Sequence, residues 1–448
     1  MGIVSACAML AAVILCIFSY FTRSYFTLVV AAVLMLFQNM LGICLAGSGL
    51  GYLTQIALLL KETVVYGSVV AAVLLEGRRI FKDLGASGRY FFIYVCLLAG
   101  YMCIGQADLM AKLTSFRTLF TPVVLVLFGS VLWLRDGDEA KFLKLLLISG
   151  VFSVAFGVLE SYVFSADFWT NLGMAEFNSI KGFDRWVNSD GLANSFFSYD
   201  FYGYIGSSIR RMASFIAEPI AFGHISALCY AILLFDRKRR LIPNTYTRSV
   251  LYGLFLFGAV ASLSKGAIIV CVIITVLRFF DFKYPTTYMF IAVMSLVLME
   301  MLLSSSVTSL QNHSEGLLGS FQGHFIFGEG IGTGGNYAGL YGQSEVEGAE
   351  SFIGALIVQI GLPGAICLAS AFILLYKSVL NSFGGFKTFK ENCVMAAPVV
   401  FSLCCLIESV MSESAVGFIA SGFGFICLGI VANRQVDHCP STAMACKS

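Results

Sequence analysis

The sequence predicts an all-α, polytopic integral membrane helix bundle of about 13 transmembrane helices, within a range of about 12 to 14, forming one domain over residues 1–448. Three observations predict it. Of the 448 residues 58% are hydrophobic and 12% charged, where an ordinary soluble domain has about 25% charged. The mean hydropathy is +0.86. Apolar runs of about 17 to 25 residues, each enough to cross a hydrocarbon core about 30 Å thick, recur along the whole chain. The net charge of +2 is too small for a nucleic-acid binder, and the composition excludes a soluble enzyme.

In chain order the runs centre on residues 3–20, 25–45, 52–75, 90–105, 117–134, 143–163, 215–235, 249–262, 266–280, 286–304, 351–376, 393–411 and 415–432. The first lacks a basic leader and is followed by Arg23 instead of a small-residue cleavage site, so it reads as a retained span. Between Phe26 and Leu75 the glycines Gly42, Gly47, Gly49 and Gly51 can end two long helices or break three short ones. Of the 14 cysteines, all but Cys439 and Cys446 lie in or beside apolar runs, where a thiol behaves as a small hydrophobe. No internal repeat or low-complexity segment is evident, which argues against the commonest carrier architecture.

Charge orients the chain. Arg78, Arg79, Lys82 and Arg89 share one short loop, Arg135, Lys141 and Lys144 the next, Arg237 to Arg240 with Arg248 a third, and Lys377, Lys387 and Lys390 a fourth. Alternation puts all four on one side, which the positive-inside rule makes cytoplasmic. Two long polar loops, about 164–213 and 305–350, then face outward, and neither holds a cysteine. Loops this long are more often functional than idle.

Charges at the bilayer boundary mark three candidate sites. The first is Arg210-Arg211 with Glu218-Pro219, where two guanidinium groups on the side poor in basic residues invite a phosphate through their planar fork. The second is Ser262-Leu263-Ser264-Lys265-Gly266, a polar break whose small residues leave one ammonium open to a ligand. The third is the glycine-rich stretch Phe327 to Gly335, followed by Glu350-Ser351 at a helix start and by Gly361-Leu362-Pro363-Gly364. Its glycines let backbone pass close to a ligand or to other helices, and Glu350 suits either helix stabilisation or a general base. Asp136-Gly137-Asp138 reads as a solvated turn, and Lys61-Glu62 as a local pair inside the bundle. His313 and His324 lack metal-ligand spacing, so no metal and no cofactor is expected.

From about Ser207 to Gly364 these residues resemble the bacterial O-antigen polymerases (Wzy-type) and the related O-antigen ligases. The ligase pattern places an arginine eight residues before a proline, as Arg211 stands before Pro219, with Gly223 continuing it. A Ser-Arg-Gly break follows, matched here by Ser264-Lys265-Gly266, and then a histidine eleven residues before a glycine, the place held here by Glu350 relative to Gly361. Lysine at 265 keeps the charge without the fork, and glutamate at 350 looks like the polymerase version.

The resemblance implies a GT-C-like, metal-independent glycosyltransferase in the bacterial inner membrane, with its active site facing the periplasm. It would move a growing glycan from undecaprenyl pyrophosphate to a lipid-linked repeat unit. Arg211, Lys265 and Glu350 would be catalytic. Arg210, Glu218, Ser264, Ser351, Tyr202 and Tyr204 would bind substrate, with Trp186, Phe196, Phe197 and Tyr199 covering the sugars. Partners would be undecaprenyl-pyrophosphate-linked oligosaccharides, membrane lipid and a chain-length regulator protein. A ligase acting on lipid A core or protein, and a lipid or solute transporter, are the alternatives.

Overall fold

The computed structural model describes residues 23–76, 80–81, 84–164, 167–183, 187–188, 191–199, 206–280, 317, 320–321, 326–336 and 351–437. Among the described residues there are fourteen α-helices and one two-stranded ribbon, which makes the chain all-α. The first five are α1 (Tyr25–Gly47), α2 (Gly51–Glu76), α3 (Gly85–Met102), α4 (Leu109–Val131) and α5 (Asp138–Val158), the last extended by a π-helical turn over Leu159–Val163. Two short helices, α6 (Asp167–Leu172) and α7 (Met174–Ile180), and the ribbon β1 (Phe197–Ser198) with β2 (Ile209–Arg210) form part of the first long loop. Then come α8 (Pro219–Phe235), α9 (Thr245–Ala261) and α10 (Lys265–Phe279). The chain closes with α11 (Phe352–Ser382), α12 (Phe386–Asn392), α13 (Ala396–Glu408) and α14 (Gly422–Asp437).

Five helices are long and apolar enough to cross a membrane: α1, α2, α4, Asp138–Val163 and α11. Three shorter apolar helices accompany them, Pro219–Phe235, Ala396–Glu408 and Gly422–Arg434, and the protein is a multi-pass helical membrane protein. The expected runs at 3–20 and 286–304 lie outside the described residues.

The stretch from Phe26 to Leu75 forms two helices joined by a turn at Ser48 to Leu50. Its glycines serve packing. A methyl group at Gly42 would press on the Phe177 ring at 2.7 Å, and one at Gly51 would lie 3.1 Å from Ile180. At Gly47 it would overlap the Leu172 carbonyl. The loop helices α6 and α7 thus sit directly on the α1–α2 turn. Trp169, Met174 and Phe177 are buried there in a small second core with Ile43 and Phe196.

The two ends of the bundle differ in charge. At one end Arg23 pairs with Glu76 and stacks on Trp133, Arg434 bonds Glu139 at 3.0 Å, and Arg237 bonds Glu391 at 3.1 Å. Lys390 reaches back to the carbonyls of Leu277 and Phe280 at 3.1 and 2.9 Å, closing the end of α10. Asp138 accepts from the Arg135 backbone at 3.1 Å and from Lys141 at 2.9 Å, so the Asp136-Gly137-Asp138 turn is a helix start. The third and fourth of the basic loops called cytoplasmic by charge are thus tied to each other through Arg237 and Glu391.

At the other end α11 is broken. Gly361 takes φ 68° and ψ −176°, and Pro363 follows. Proline has no N–H, so the Gln359 carbonyl loses its helical donor. The glycine-rich loop replaces it: Gly330 N donates to Gln359 O at 3.0 Å, and Glu329 N donates to Val358 O at 2.8 Å. The buried Gln359 amide returns the contact, accepting from Gly332 N at 2.9 Å and donating to Gly334 O at 2.8 Å. These glycines let the loop backbone pass close to a helix, as the sequence allowed.

A close helix crossing joins α4 to α14. A methyl on Gly429 would lie 3.0 Å from the Gly129 Cα and would overlap the Val126 carbonyl; one on Gly129 would overlap the Ile426 carbonyl. Such small-residue contacts drive association where no water is expelled. Gly129→Val or Gly429→Val should each cost about 1 to 3 kcal/mol of stability by overpacking. Thermal denaturation of the detergent-purified variants measures this, and unchanged midpoints would contradict the crossing.

Candidate functional site

The site is built around buried carboxylates at the end opposite the basic loops. The π-turn at Leu159–Val163 carries Glu160, whose side chain is fully enclosed. One oxygen accepts from Ala213 N at 2.8 Å, Ser214 N at 3.3 Å and Ser161 Oγ at 2.9 Å. The other accepts from Trp169 Nε1 at 3.0 Å and Arg210 Nη2 at 2.9 Å. Arg210, expected to bind substrate, is thereby engaged in holding the loop. An enclosed carboxylate satisfied this fully fixes the chain that satisfies it.

That chain then turns sharply. Ser214 and Ala217 lie in the left-handed region at φ 58° and 55°, conformations that cost about 1 to 3 kcal/mol each for residues with a Cβ. Glu160 and Ser153 hold the first, the Ser214 hydroxyl donating to Ser153 O at 2.6 Å. Asn39 Nδ2 bonds the Ile216 carbonyl at 3.0 Å. The turns deliver Glu218 to the N-cap of α8 with Pro219 at the first helical position, where a missing N–H is harmless.

Arg211 points the other way from its neighbour. Its Nε donates to Ser262 O at 2.8 Å, and Met212 N donates to Ala261 O at 3.1 Å. The arginine is thus tied to the polar break between α9 and α10. At the break Leu263 is left-handed, φ 48°, and Ser264 caps α10 by accepting from Ala267 N at 3.3 Å. Gly223 lies against it, since a methyl there would overlap the Ser262 hydroxyl and lie 3.0 Å from the Ser264 Cβ. Arg211, Gly223, Ser264 and Lys265 therefore belong to one packed unit although α8 and α9 separate them in the chain.

Beneath Lys265 lies a buried pair that sequence reasoning missed. His224 Nε2 and Glu408 Oε2 stand 2.7 Å apart, with side chains 0% and 2% exposed. His224 Nδ1 faces the Ile220 carbonyl at 2.8 Å. A carbonyl can only accept, so Nδ1 carries a proton, and the contact to Glu408 requires another. The pair is neutral overall, as an imidazolium with a carboxylate or as two uncharged groups. Glu408 also occupies the place where a Cβ on Gly266 would be, in the first turn of α10. The positive end of the helix favours a carboxylate there.

The third segment joins at the same place. Ser351 caps α11, accepting from Gly354 N at 3.0 Å, and Phe352 N donates to the carbonyl of Ser409 at 3.0 Å, the residue after Glu408. Asn336 N at the end of the glycine loop donates to Glu413 at 2.9 Å. Glu350, Tyr202 and Tyr204 lie outside the described residues, as do Trp186, His313 and His324. The helix begins at Phe352 with Ser351 as its cap. Phe196 is packed against Trp169 in the loop core, 2% exposed, and is no sugar platform, whereas Tyr199 is 52% exposed.

Two further readings change. Glu62 bonds Arg117 on α4 at 3.3 Å and does not pair with Lys61, because adjacent helical residues point in different directions. His224, Cys405 and Glu408 form the one cluster of possible metal ligands among the described residues, their donor atoms within 4.8 Å of one another. The 2.7 Å contact between His224 and Glu408 is a direct hydrogen bond. It leaves no room for an ion between them, since two ligands each about 2 Å from a metal stand farther apart. The signal for Glu160, His224 and Glu408 was present in the sequence: each is an ionisable residue inside an apolar run.

No known protein family and no curated protein matches the chain.

Gly266→Ala should displace the Glu408 carboxylate and cost about 2 to 4 kcal/mol. Adding Glu408→Asp, which withdraws the carboxylate by one methylene, should recover part of the loss. Melting temperatures of the single and double variants check this, and equal stability of Gly266→Ala and the unaltered protein would contradict the packing. Glu160→Ala should cost about 3 to 5 kcal/mol, since it strands Arg210 and two backbone donors. Protease susceptibility of the loop near Lys181 should rise with it, and an unchanged digestion pattern would refute the role.

Proposed function

We propose that the protein is a metal-independent, lipid-linked-donor glycosyltransferase of the O-antigen polymerase type. The observation that carries the reading is the bond from Arg211 Nε to Ser262 O at 2.8 Å, which sets the outer-loop arginine on the Ser264-Lys265-Gly266 break. Two of the ordered motifs behind the family resemblance thus meet in space, and Phe352, next to Ser351, bonds the Ser409 carbonyl beside Glu408. A chance likeness between an outer loop and a later break between spans gives no reason for that meeting.

In this reading the bundle has about 12 to 14 spans, lies in the bacterial inner membrane, and turns the Arg211–Lys265 end to the periplasm. The donor is a glycan on undecaprenyl pyrophosphate. The acceptor is a single repeat unit on the same lipid, and a chain-length regulator is a further partner. An acceptor hydroxyl attacks the anomeric carbon of the donor, the bond to the diphosphate breaks, and the hydroxyl proton leaves to a base. Negative charge grows on the departing diphosphate, and cations positioned beforehand stabilise it as it develops. Arg211 and Lys265 supply that charge. Glu350 takes the proton, and Glu218 and Ser264 line the approach. Arg210 acts through Glu160 by fixing the loop.

Purified protein incubated with a lipid-linked repeat unit tests the reading. Longer lipid-linked chains are expected; glycan moved to a second acceptor would indicate a ligase, and unchanged substrate a transporter. Arg211→Ala should lower the elongation rate by about 10²- to 10³-fold with insertion unaltered. Lys265→Arg should keep more activity than Lys265→Ala. Glu350→Gln should still bind donor and elongate about 10² to 10⁴ times more slowly. Near-normal elongation by Arg211→Ala would remove the assignment.

A further inference from the structure

The break between α9 and α10 opens onto a groove of about 290 Å³ between the two helices. Ala259 and Cys271 form its floor, 1% and 6% exposed, and Val260, Ile268, Val272 and Val276 stand along its rims, between 38% and 59% exposed. Of the described side chains that line it, only Thr275 carries an oxygen. That hydroxyl donates to the Cys271 carbonyl at 2.7 Å and stands 2.8 Å from the Tyr230 hydroxyl, so its polarity is already met. Residues 265, 268, 272 and 276 fall on one face of α10. Lys265 therefore heads the groove, and Val276 lies about 16 Å below it. Arg211, bonded to Ser262 O at 2.8 Å, brings its guanidinium to the same end.

Apolar character alone selects no occupant, because lipid tails are as apolar as the groove. The cations at its head decide. A diacyl phospholipid puts a glycerol and two ester groups between its phosphate and its two chains. Those esters would meet apolar walls at the level of Ile268, one turn below Lys265. A polyprenyl diphosphate carries one chain, joined to phosphorus through a single oxygen. With its diphosphate at Arg211 and Lys265, its first isoprene unit reaches Ile268 with no polar group in between. An apolar cavity of about 150 Å³ admits benzene, so this groove takes about twelve carbons, roughly two isoprene units. The small floor residues Ala259 and Cys271 leave depth for the methyl branches.

We propose that the α9–α10 groove seats the first isoprene units of the lipid-linked donor, so that the protein selects a single methyl-branched chain fixed to a diphosphate. This rests on the reading of Arg211 and Lys265 as the diphosphate site. No bond forms or breaks in the groove.

Photolabelling locates the chain without turnover. Full-length protein in phosphatidylglycerol nanodiscs is irradiated with a polyprenyl pyrophosphate carrying a diazirine on its second isoprene unit, and labelled peptides are mapped by mass spectrometry. Label is expected on residues 256–260 and 268–276. Val272→Trp fills the groove from an exposed position and should abolish that label. It should also raise the Kd for polyprenyl pyrophosphate about tenfold, the equivalent of two buried carbons, with inorganic pyrophosphate bound as before. Ile148→Trp, at an exposed position on α5, should change neither. Label confined to other helices, or unchanged affinity in Val272→Trp, would overturn the groove. Equal labelling by a diazirine-bearing phosphatidylglycerol would assign it to bulk lipid, and a dimer in native mass spectra that Val272→Trp separates would assign it to a second copy; each overturns the proposal. Label at the groove of a protein that elongates nothing would keep the groove and remove the polymerase reading. Elongation by Val272→Trp with an unchanged donor KM would keep that reading and overturn the groove.

Discussion

A carboxylate enclosed in a membrane bundle costs several kcal/mol unless protons and hydrogen-bond donors neutralise it, and no solvent is at hand to relieve a missing partner. Glu160 and Glu408 impose this constraint at the same end of the protein. Glu160 is satisfied only if the chain from Arg210 to Ser214 wraps over it, which requires a left-handed serine and commits one arginine. Glu408 is satisfied only if α8 brings His224 to it and the first turn of α10 holds a glycine, Gly266, against it. Meeting both conditions brings together the ends of α5, α8, α9, α10 and α13.

The cations then follow from geometry. Once Arg210 is drawn to Glu160, its neighbour Arg211 extends along the ribbon toward the α9–α10 break, where the Ser262 carbonyl holds its Nε. Lys265 opens α10 directly over the His224–Glu408 pair, which contributes no net charge beneath it. The Ser262 carbonyl anchors the Arg211 guanidinium, and the Ser264 cap fixes the helix start from which Lys265 projects. Rigid placement of this kind is what electrostatic stabilisation of a leaving group requires, because cations that must reorganise during the reaction lose most of their advantage.

Much of the fold was legible in the sequence, because the length of an apolar run and the clustering of Lys and Arg report directly on the bilayer. The two-helix form of Tyr25–Glu76 was less so: its glycines mark where α6 and α7 dock, a tertiary contact with no local signature. Arg211, Ser264 and Lys265 were legible because they sit in polar breaks that interrupt the hydropathy. Glu160, His224 and Glu408 were passed over because each lies within a run whose average hydropathy conceals one ionisable residue. Lys61 was seen, but its partner was misjudged, since adjacency in a helix is not adjacency in space. The role of Gln359 was hidden as well, because it answers a carbonyl released by Pro363 to a loop more than twenty residues upstream.

The central claim is that Arg211 and Lys265 act on the same developing charge. A double-mutant cycle on elongation of a lipid-linked repeat unit measures it, using purified Arg211→Ala, Lys265→Ala and the double variant at saturating donor. Residues that act as a unit give strongly non-additive losses. The account predicts a coupling energy of about 1 to 3 kcal/mol, the double variant being little slower than the worse single one. Losses that simply multiply would place the two cations in separate steps or separate sites and contradict it.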